Sequence, residues 1–223
     1  MKFKSIAFDL VGTIIEPDDW RPLSLAHYRK LITLLSRSRS VEKTEETDNL
    51  IEKRKIRLTR QLGREPSLIE TVLDLGIDKK TLFNAIDSVD PFHYIRANKK
   101  IADTLCNLRK SYKLGILTDT SRLTAERALL AYGIRPGWFD TIVCGDDIQQ
   151  IKPHLNAFRF LLSELACDAK NVVFVGDRRE IDLVPAKRLG MTTILVRQED
   201  CSSVDITTSS LTGLLELILL QAS

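Results

Sequence analysis

Residues 5–13 read Ser-Ile-Ala-Phe-Asp-Leu-Val-Gly-Thr, a short apolar run followed by an acidic residue and a Gly-Thr pair. The apolar segment Ser5–Phe8 predicts a buried β-strand, and Asp9 stands where that strand ends. Gly12 and Thr13 then predict a turn. A carboxylate held at a strand end before such a turn can serve as an exposed nucleophile in phosphoryl or alkyl transfer, because carboxylates form covalent aspartyl intermediates.

The rest of the chain repeats the strand pattern and separates the strands by helical patterns. None of the strands alternates polar and apolar residues, which is typical of strands buried on both faces of a parallel sheet. Alternation of strand and helix predicts an α/β fold with an open parallel sheet. The predicted strands are Leu114–Leu117, Thr141–Cys144, Val172–Val175 and Thr192–Val196, and the predicted helices are Lys99–Lys110, Arg122–Ala131, Leu155–Leu165, Asp182–Leu189 and Leu211–Leu220. The Ser/Thr-rich stretch Ser202–Ser210 predicts a surface loop.

The segment between Asp9 and the Lys99 helix carries almost no strand signal. Apolar residues recur at helical spacing in Leu23–Leu35, and Glu42–Leu62 is charged and amphipathic. Shorter helical patterns follow at Leu68–Leu75 and Thr81–Ile86, so the segment predicts an insertion of roughly four helices. We therefore predict two domains, a core of residues 1–15 and 94–223 and a helical domain of residues 16–93.

The composition is that of a globular protein, with 43% hydrophobic and 28% charged residues and a net charge of +3. This charge is too small to predict binding to nucleic acid or to a membrane surface. No apolar run reaches the ~20 residues of a membrane span, and no signal-peptide pattern precedes the first strand. The cysteines Cys106, Cys144, Cys167 and Cys201 are scattered, as is typical of reduced thiols, and we expect a cytoplasmic protein.

Three further short motifs follow the first along the chain. Thr118 ends the second strand, Lys152 precedes a proline in a later loop, and Asp177 ends the fourth strand with Asp182 five residues beyond it. In open α/β sheets, ligands bind outside the carboxyl ends of the strands. We therefore expect these side chains and Asp9 to converge on one crevice.

Together these motifs resemble the four motifs of the haloacid dehalogenase superfamily, whose members are mostly Mg²⁺-dependent phosphatases. The resemblance covers essentially the whole chain and implies a Rossmann-like core with a helical cap. It also implies that Asp9 is the nucleophile and that the substrate is a small phosphorylated metabolite. Phosphoryl transfer needs positioning and charge stabilisation, which the Thr118 hydroxyl and the Lys152 ammonium can supply.

The resemblance further implies a Mg²⁺ site. This ion prefers hard oxygen ligands, and Asp9 and Asp177 can provide them directly. Asp182 is expected to act through a water molecule. In the family, the residue two positions after the nucleophile binds the metal through its backbone carbonyl, and Val11 can still do so.

Val11 is also the position where this chain departs from the family. The phosphatases carry a second aspartate there, and losing a general acid–base group costs ~10²–10⁴-fold in rate. The loss is expected to weigh more on alkyl phosphates than on aryl or acyl phosphates. Asp119 has two interpretations, a polar residue near a helix N-cap or a substitute proton-transfer group; Asp18 and Asp19 have a weaker claim.

Four functions remain open, and a phosphatase acting through an aspartyl-phosphate ranks first. Dehalogenases of the family also lack the second aspartate, but they lose the metal aspartate, whereas Asp177 and Asp182 are present here. Phosphonate cleavage relies on a cap lysine that forms a Schiff base; Lys30, Lys53 and Lys55 are candidates, and nothing selects one of them. A protein that binds a phosphorylated ligand with little turnover is also compatible with Val11.

Overall fold

The computed structural model describes residues 3–16, 21–39, 44–196 and 204–222. The chain divides into two compact units, one formed by Met1–Asp18 and Ile95–Ser223 and the other by Asp19–Tyr94. The roles predicted from the sequence, a core and a helical cap, stay predictions.

The described part of the first unit contains the strands β1 (Ser5–Phe8), β2 (Lys113–Leu117), β3 (Thr141–Val143), β4 (Val172–Gly176), β5 (Thr192–Val196) and β6 (Ile206–Thr208). They form one sheet in the order β3-β2-β1-β4-β5-β6, and every neighbouring pair is parallel. The α/β fold with an open parallel sheet is therefore confirmed. The strand order reverses direction between β1 and β4, and such a switch point is where open α/β sheets bind ligands.

Along the chain, α-helices alternate with these strands. They are α5 (Lys99–Leu108), α6 (Arg122–Ala131), α7 (Leu155–Leu165), α8 (Val184–Arg188) and α9 (Leu211–Ala222). Helix α8 is shorter than predicted because Arg179–Leu183 form a π-helical turn, which carries Asp182. Turns of this kind occur often at functional sites.

One prediction at the sheet edge was wrong. Within the stretch expected to be a loop, Ile206–Thr208 form the edge strand β6, which pairs in parallel with β5. Isoleucine and threonine favour extended backbone, but three residues are too few for a strand pattern to stand out from a Ser/Thr-rich segment. Residues 202 and 203 lie outside the described residues.

Close packing of α7 against the sheet fixes the position of β2. A Cβ atom at Gly115 would lie 3.2 Å from a methyl carbon of Leu165, so a glycine allows the helix to approach the strand closely. The rings of Phe158 on α7 and Phe174 on β4 lie 5.2 Å apart in the same core. This packing supports the central strands along their length, and the polar motif residues follow at their carboxyl ends.

The second unit is helical, as the sequence predicts. Its described residues form the α-helices α1 (Arg21–Arg39), α2 (Thr44–Leu62), α3 (Leu68–Asp74) and α4 (Lys79–Asp87). Helix α3 begins at a capping box, in which Ser67 and Glu70 exchange hydrogen bonds between side chain and backbone. Such a box satisfies two backbone donors at the start of a helix. Leu35, Ile51 and Leu82 lie in its apolar core.

The membrane-span and cysteine predictions each concern a feature that the structure describes. None of the helices within the described ranges is both long and apolar enough to cross a bilayer. Cys106, Cys144 and Cys167 form no disulfide, and Cys201 lies outside the described residues.

Candidate active site

The register of the sheet brings the motif residues to one edge. Phe8 of β1 pairs with Ile116 on one side and with Val175 on the other. Asp9 therefore stands at the end of the central strand, and its N–H donates to the Val175 carbonyl at 2.9 Å. Thr118 directly follows β2 and Asp177 directly follows β4. Each lies two positions beyond the residue that pairs with Phe8, on either side of Asp9.

Lys152 is the electrostatic centre of the site. Its side chain is buried, and its Nζ donates to Asp9 Oδ1 at 2.5 Å and to Asp182 Oδ1 at 2.7 Å. Burial lowers the pKa of this lysine, but the carboxylates of Asp182 and Asp9 raise it more, so the net shift is upward. The ammonium therefore stays charged and fixes the orientation of the Asp9 carboxylate.

A second contact joins the two ends of the central strands. The Thr13 hydroxyl lies 3.2 Å from Asp9 Oδ2 and 3.4 Å from Asp177 Oδ1. One hydroxyl proton cannot serve both carboxylates at once. Burial, followed by the charges of Asp9 and Asp182, raises the pKa of Asp177 to about 7. Carboxylates this crowded favour a cation among them.

The donor set fits Mg²⁺. One carboxylate oxygen from each of Asp9, Asp177 and Asp182 lies within 4.8 Å of the other two. Oxygen atoms are the ligands that Mg²⁺ prefers, and this ion usually keeps several waters. Both oxygens of Asp182 already accept hydrogen bonds, Oδ1 from Lys152 and Oδ2 from the Arg178 N–H at 3.0 Å. These two hydrogen bonds suit Asp182 to an outer position. Asp9 Oδ2 and Asp177 Oδ1 instead compete for the single proton of the Thr13 hydroxyl, which suits them to direct contact with the ion.

Two glycines allow these carboxylates to come close. Gly12 has a φ of +93°, and a Cβ atom there would lie 2.5 Å from Asp177 Oδ2. At Gly176, a Cβ atom would lie 2.6 Å from the Cβ of Asp182. A side chain at either position would push a carboxylate away, so the glycines are required by the site and not only by the turns.

Val11 lies in the turn that follows Asp9. Hydrogen bonds from Gly12 N–H to the Ile15 carbonyl and from Ile15 N–H to the Leu10 carbonyl close this turn, and neither uses the Val11 carbonyl. The Val11 side chain is 43% exposed, although Asp9 nearby is buried. The position has room for a longer polar side chain.

Asp119 belongs to the cluster and does not cap a helix. Its Oδ1 accepts a hydrogen bond from the backbone N–H of Lys152 at 3.0 Å, whereas Ser121 caps α6 by accepting from Thr124 N–H. Asp119 is 7% exposed, and its Oδ2 is buried without a hydrogen-bond partner among the described residues. Burial raises its pKa to about 6, although Lys152 acts in the opposite direction.

Thr118 is buried, and its hydroxyl oxygen accepts from Thr120 N–H at 3.4 Å, so its proton can be donated elsewhere. Sequence reasoning treated Thr13 only as a turn residue and did not consider Arg178. Each is adjacent to a residue that it did single out, Gly12 or Asp177, and that adjacency was the available signal. Residues 18 and 19 lie outside the described residues.

Comparison with known proteins places the chain in a family. Residues 6–196 match the family described as haloacid dehalogenase-like hydrolase. The match covers most of the chain, and the protein belongs to the haloacid dehalogenase-like hydrolase family.

Similar proteins include enzymes named as phosphatases. The chain is 34% identical over 112 residues to a glyceraldehyde 3-phosphate phosphatase of Methanocaldococcus jannaschii, covering 48% of this chain and 49% of that protein. It is 31% identical over 133 residues to pyrophosphatase PpaX of Bacillus velezensis, covering 57% and 61%. The matches therefore span only about half to three fifths of these relatives. The crystal structure of a HAD phosphatase from Thermococcus onnurineus superimposes with a TM-score of 0.66 and 25% identity, covering 96% of this chain and 97% of that one.

Proposed function

We propose that the protein is a Mg²⁺-dependent phosphatase that acts on a small phosphorylated metabolite through an aspartyl-phosphate at Asp9. The observation that carries the proposal is the Asp9 carboxylate at the end of the central strand, with Lys152 on one oxygen and Thr13 on the other. The names of the similar proteins support a phosphate ester or anhydride as substrate.

In the first step, a carboxylate oxygen of Asp9 forms a bond to phosphorus, and the bond between phosphorus and the ester oxygen breaks. Lys152 keeps Asp9 oriented and offsets the negative charge that collects on the phosphoryl oxygens. The Thr118 hydroxyl is suited to donate a hydrogen bond to one of these oxygens. Hydrolysis of the acyl phosphate by water then restores Asp9 and releases inorganic phosphate.

Asp9, the Val11 carbonyl and Asp177 would hold Mg²⁺ directly, with Asp182 acting through water. When bound, the ion would neutralise charge on the phosphoryl oxygens. The presence of Asp177 and Asp182 beside Asp9 favours this chemistry over halide displacement, which does not use the metal aspartates.

Proton transfer is assigned to Asp119, because Val11 cannot supply a proton. The buried carboxyl of Asp119, with a pKa of about 6, exchanges protons near neutral pH, as a general acid–base group must. It would give a proton to the leaving oxygen in the first step and take one from the attacking water in the second. A protein that binds the ligand with little turnover is the second candidate, because the exposed Val11 occupies the position of the family's acid.

The test is phosphate release from a panel of phosphorylated compounds, with and without Mg²⁺. The panel includes glyceraldehyde 3-phosphate, pyrophosphate, an aryl phosphate and 2-haloacids as a control for halide release. Asp9→Asn is expected to abolish turnover, whereas Asp146→Asn, an exposed carboxylate on the β3 side, should retain it. Wild-type-like turnover by Asp9→Asn would sink the assignment of the nucleophile. Metal-independent halide release would replace phosphatase by dehalogenase, and phosphate binding without turnover would favour the binding protein.

A further inference from the structure

The side chain of Arg178, the residue after Asp177, has different surroundings from that of its neighbour Arg179. The Arg179 guanidinium lies on the surface and donates to Glu180 at 2.6 Å. Arg178 instead faces the buried carboxylates, with Nη2 at 3.8 Å from Asp119 Oδ2 and Nε at 4.0 Å from Asp182 Oδ2. The chain thus places a second cation beside Lys152.

The Arg178 side chain is attracted by these carboxylates but is not hydrogen-bonded to them. Both distances exceed the range of a hydrogen bond. Within the part of the chain that the structure describes, its guanidinium donates to no acceptor, although its backbone N–H donates to Asp182 Oδ2. Asp119 Oδ2 is likewise buried without a hydrogen-bond partner among those residues. A guanidinium carries five donors, so the donating capacity of this one is uncommitted.

Lys152 cannot fill the same role. Two of its three N–H donors already serve Asp9 and Asp182, and its side chain is buried. The Arg178 side chain is 37% exposed, so this cation is accessible to an anion that arrives from solvent. The planar fork of arginine also matches the geometry of phosphate, which it binds through two parallel hydrogen bonds.

We propose that Arg178 is a substrate-binding residue of this site, whose guanidinium donates to oxygens of the phosphoryl group. This inference rests on the proposed phosphatase function and extends it by one residue. Asp119 and Asp182 hold the guanidinium by charge at the edge of the carboxylate cluster, and the phosphoryl group supplies the acceptors that these residues do not.

The experiment measures the affinity of inorganic phosphate, the product common to all phosphate esters, by calorimetry at saturating Mg²⁺. The proteins are the unsubstituted chain, Arg178→Gln, Arg178→Lys and the matched control Arg179→Gln. We expect phosphate to bind Arg178→Gln about 10-fold or more weakly, because a charge-assisted pair of hydrogen bonds is lost. Arg178→Lys keeps the charge without the fork and should fall between, and Arg179→Gln should bind within about 2-fold of the parent.

Three outcomes would overturn the inference. Unchanged phosphate affinity in Arg178→Gln would mean that Arg178 only balances the charge of the carboxylates. An equal loss in Arg179→Gln would assign the effect to net charge and not to contact. Absence of phosphate binding by the unsubstituted protein would overturn the proposed function itself, and is distinguishable because it precedes any substitution. Thermal unfolding monitored by circular dichroism checks that each variant is folded, and Arg178→Lys carries the test if Arg178→Gln does not fold.

Discussion

Replacement of Asp119 by asparagine separates the proposed proton transfer by this residue from its hydrogen bond to the Lys152 backbone. The amide oxygen of Asp119→Asn can still accept the hydrogen bond from Lys152 N–H that now spans 3.0 Å, so the lysine stays in place. The amide cannot exchange a proton near neutral pH. We therefore expect the variant to keep the architecture of the site and to lose proton transfer.

The magnitude of the stability change follows from the pKa. Burial raises the pKa of Asp119 from its ordinary value of 3.8 to about 6, a shift worth about 3 kcal/mol at 1.36 kcal/mol per unit. Because the folded protein holds the proton more tightly than the unfolded chain, this group contributes its stability fully below about pH 4 and loses it as the pH rises through 6. Asp119→Asn is therefore expected to be more stable than the parent by up to about 3 kcal/mol at pH 7, with the gain vanishing near pH 4.

The assay has two parts. Urea unfolding in EDTA from pH 4 to pH 8 measures the stability of the metal-free parent and variant. Phosphate release in saturating Mg²⁺ measures activity, which should fall ~10-fold or more in Asp119→Asn on an alkyl phosphate. In the parent, the rate on that substrate should decline above pH 6, as Asp119 loses the proton that it donates. Asp119→Ala serves as the control for positioning, since it leaves the Lys152 N–H buried without its acceptor and should be less stable than Asp119→Asn by about 1–3 kcal/mol.

Two results would contradict the roles given to Asp119. A stability difference that does not change with pH would show that Asp119 does not carry the buried charge. Parent-like turnover in Asp119→Asn would show that another residue supplies the proton, even if the stability gain is observed.

Three other substitutions test the site from different sides. Lys152→Met should destabilise the metal-free protein by about 3–5 kcal/mol near neutral pH, because it strands the two buried carboxylates that the ammonium bridges, and urea unfolding measures the loss. Val11→Asp should raise turnover on alkyl phosphates more than on aryl phosphates, since the exposed side chain leaves room for a carboxylate; equal effects on both would contradict a role in proton donation. Gly12→Ala should weaken Mg²⁺ binding, measured by calorimetry, because its Cβ would meet Asp177, and it should cost about 1–2 kcal/mol of stability for the positive φ; unchanged Mg²⁺ affinity would argue against direct binding by Asp177.

The strands were predictable because their signal is local and strong. Each strand predicted from the sequence is present, and each bound differs by at most one residue. Buried parallel strands are short apolar runs, and a glycine or an acidic residue ends them abruptly, as at Asp9 and Asp177. The edge strand Ile206–Thr208 lacks that burial, so nothing local distinguishes it from a loop; its pairing with β5 is a tertiary effect.

The site was only partly predictable, for a geometrical reason. Strand ends in a parallel sheet meet at one edge, so the sequence could place Asp9, Thr118 and Asp177 together. It could not tell which loop atoms reach across that edge. The backbone N–H of Lys152 donates to Asp119, and this contact depends on the path of a loop and not on a residue type. Arg178 directly precedes a π-helical turn, Arg179–Leu183, which the sequence did not predict.

The exposed Val11 and the buried Asp119 together bear on how the site would transfer protons. The family's phosphatases place a carboxylate two residues after the nucleophile, where this chain has Val11. Here the carboxylate of Asp119 lies against Lys152 and Arg178, inside the same cluster. Burial raises the pKa of Asp119 toward the neutral range, which favours proton donation there. The positive charge of Arg178 acts in the opposite direction and stabilises the ionised carboxylate. The absence of an acid at Val11 is thus compatible with the proposed catalysis, provided that Asp119 transfers the proton and Arg178 binds the phosphoryl group.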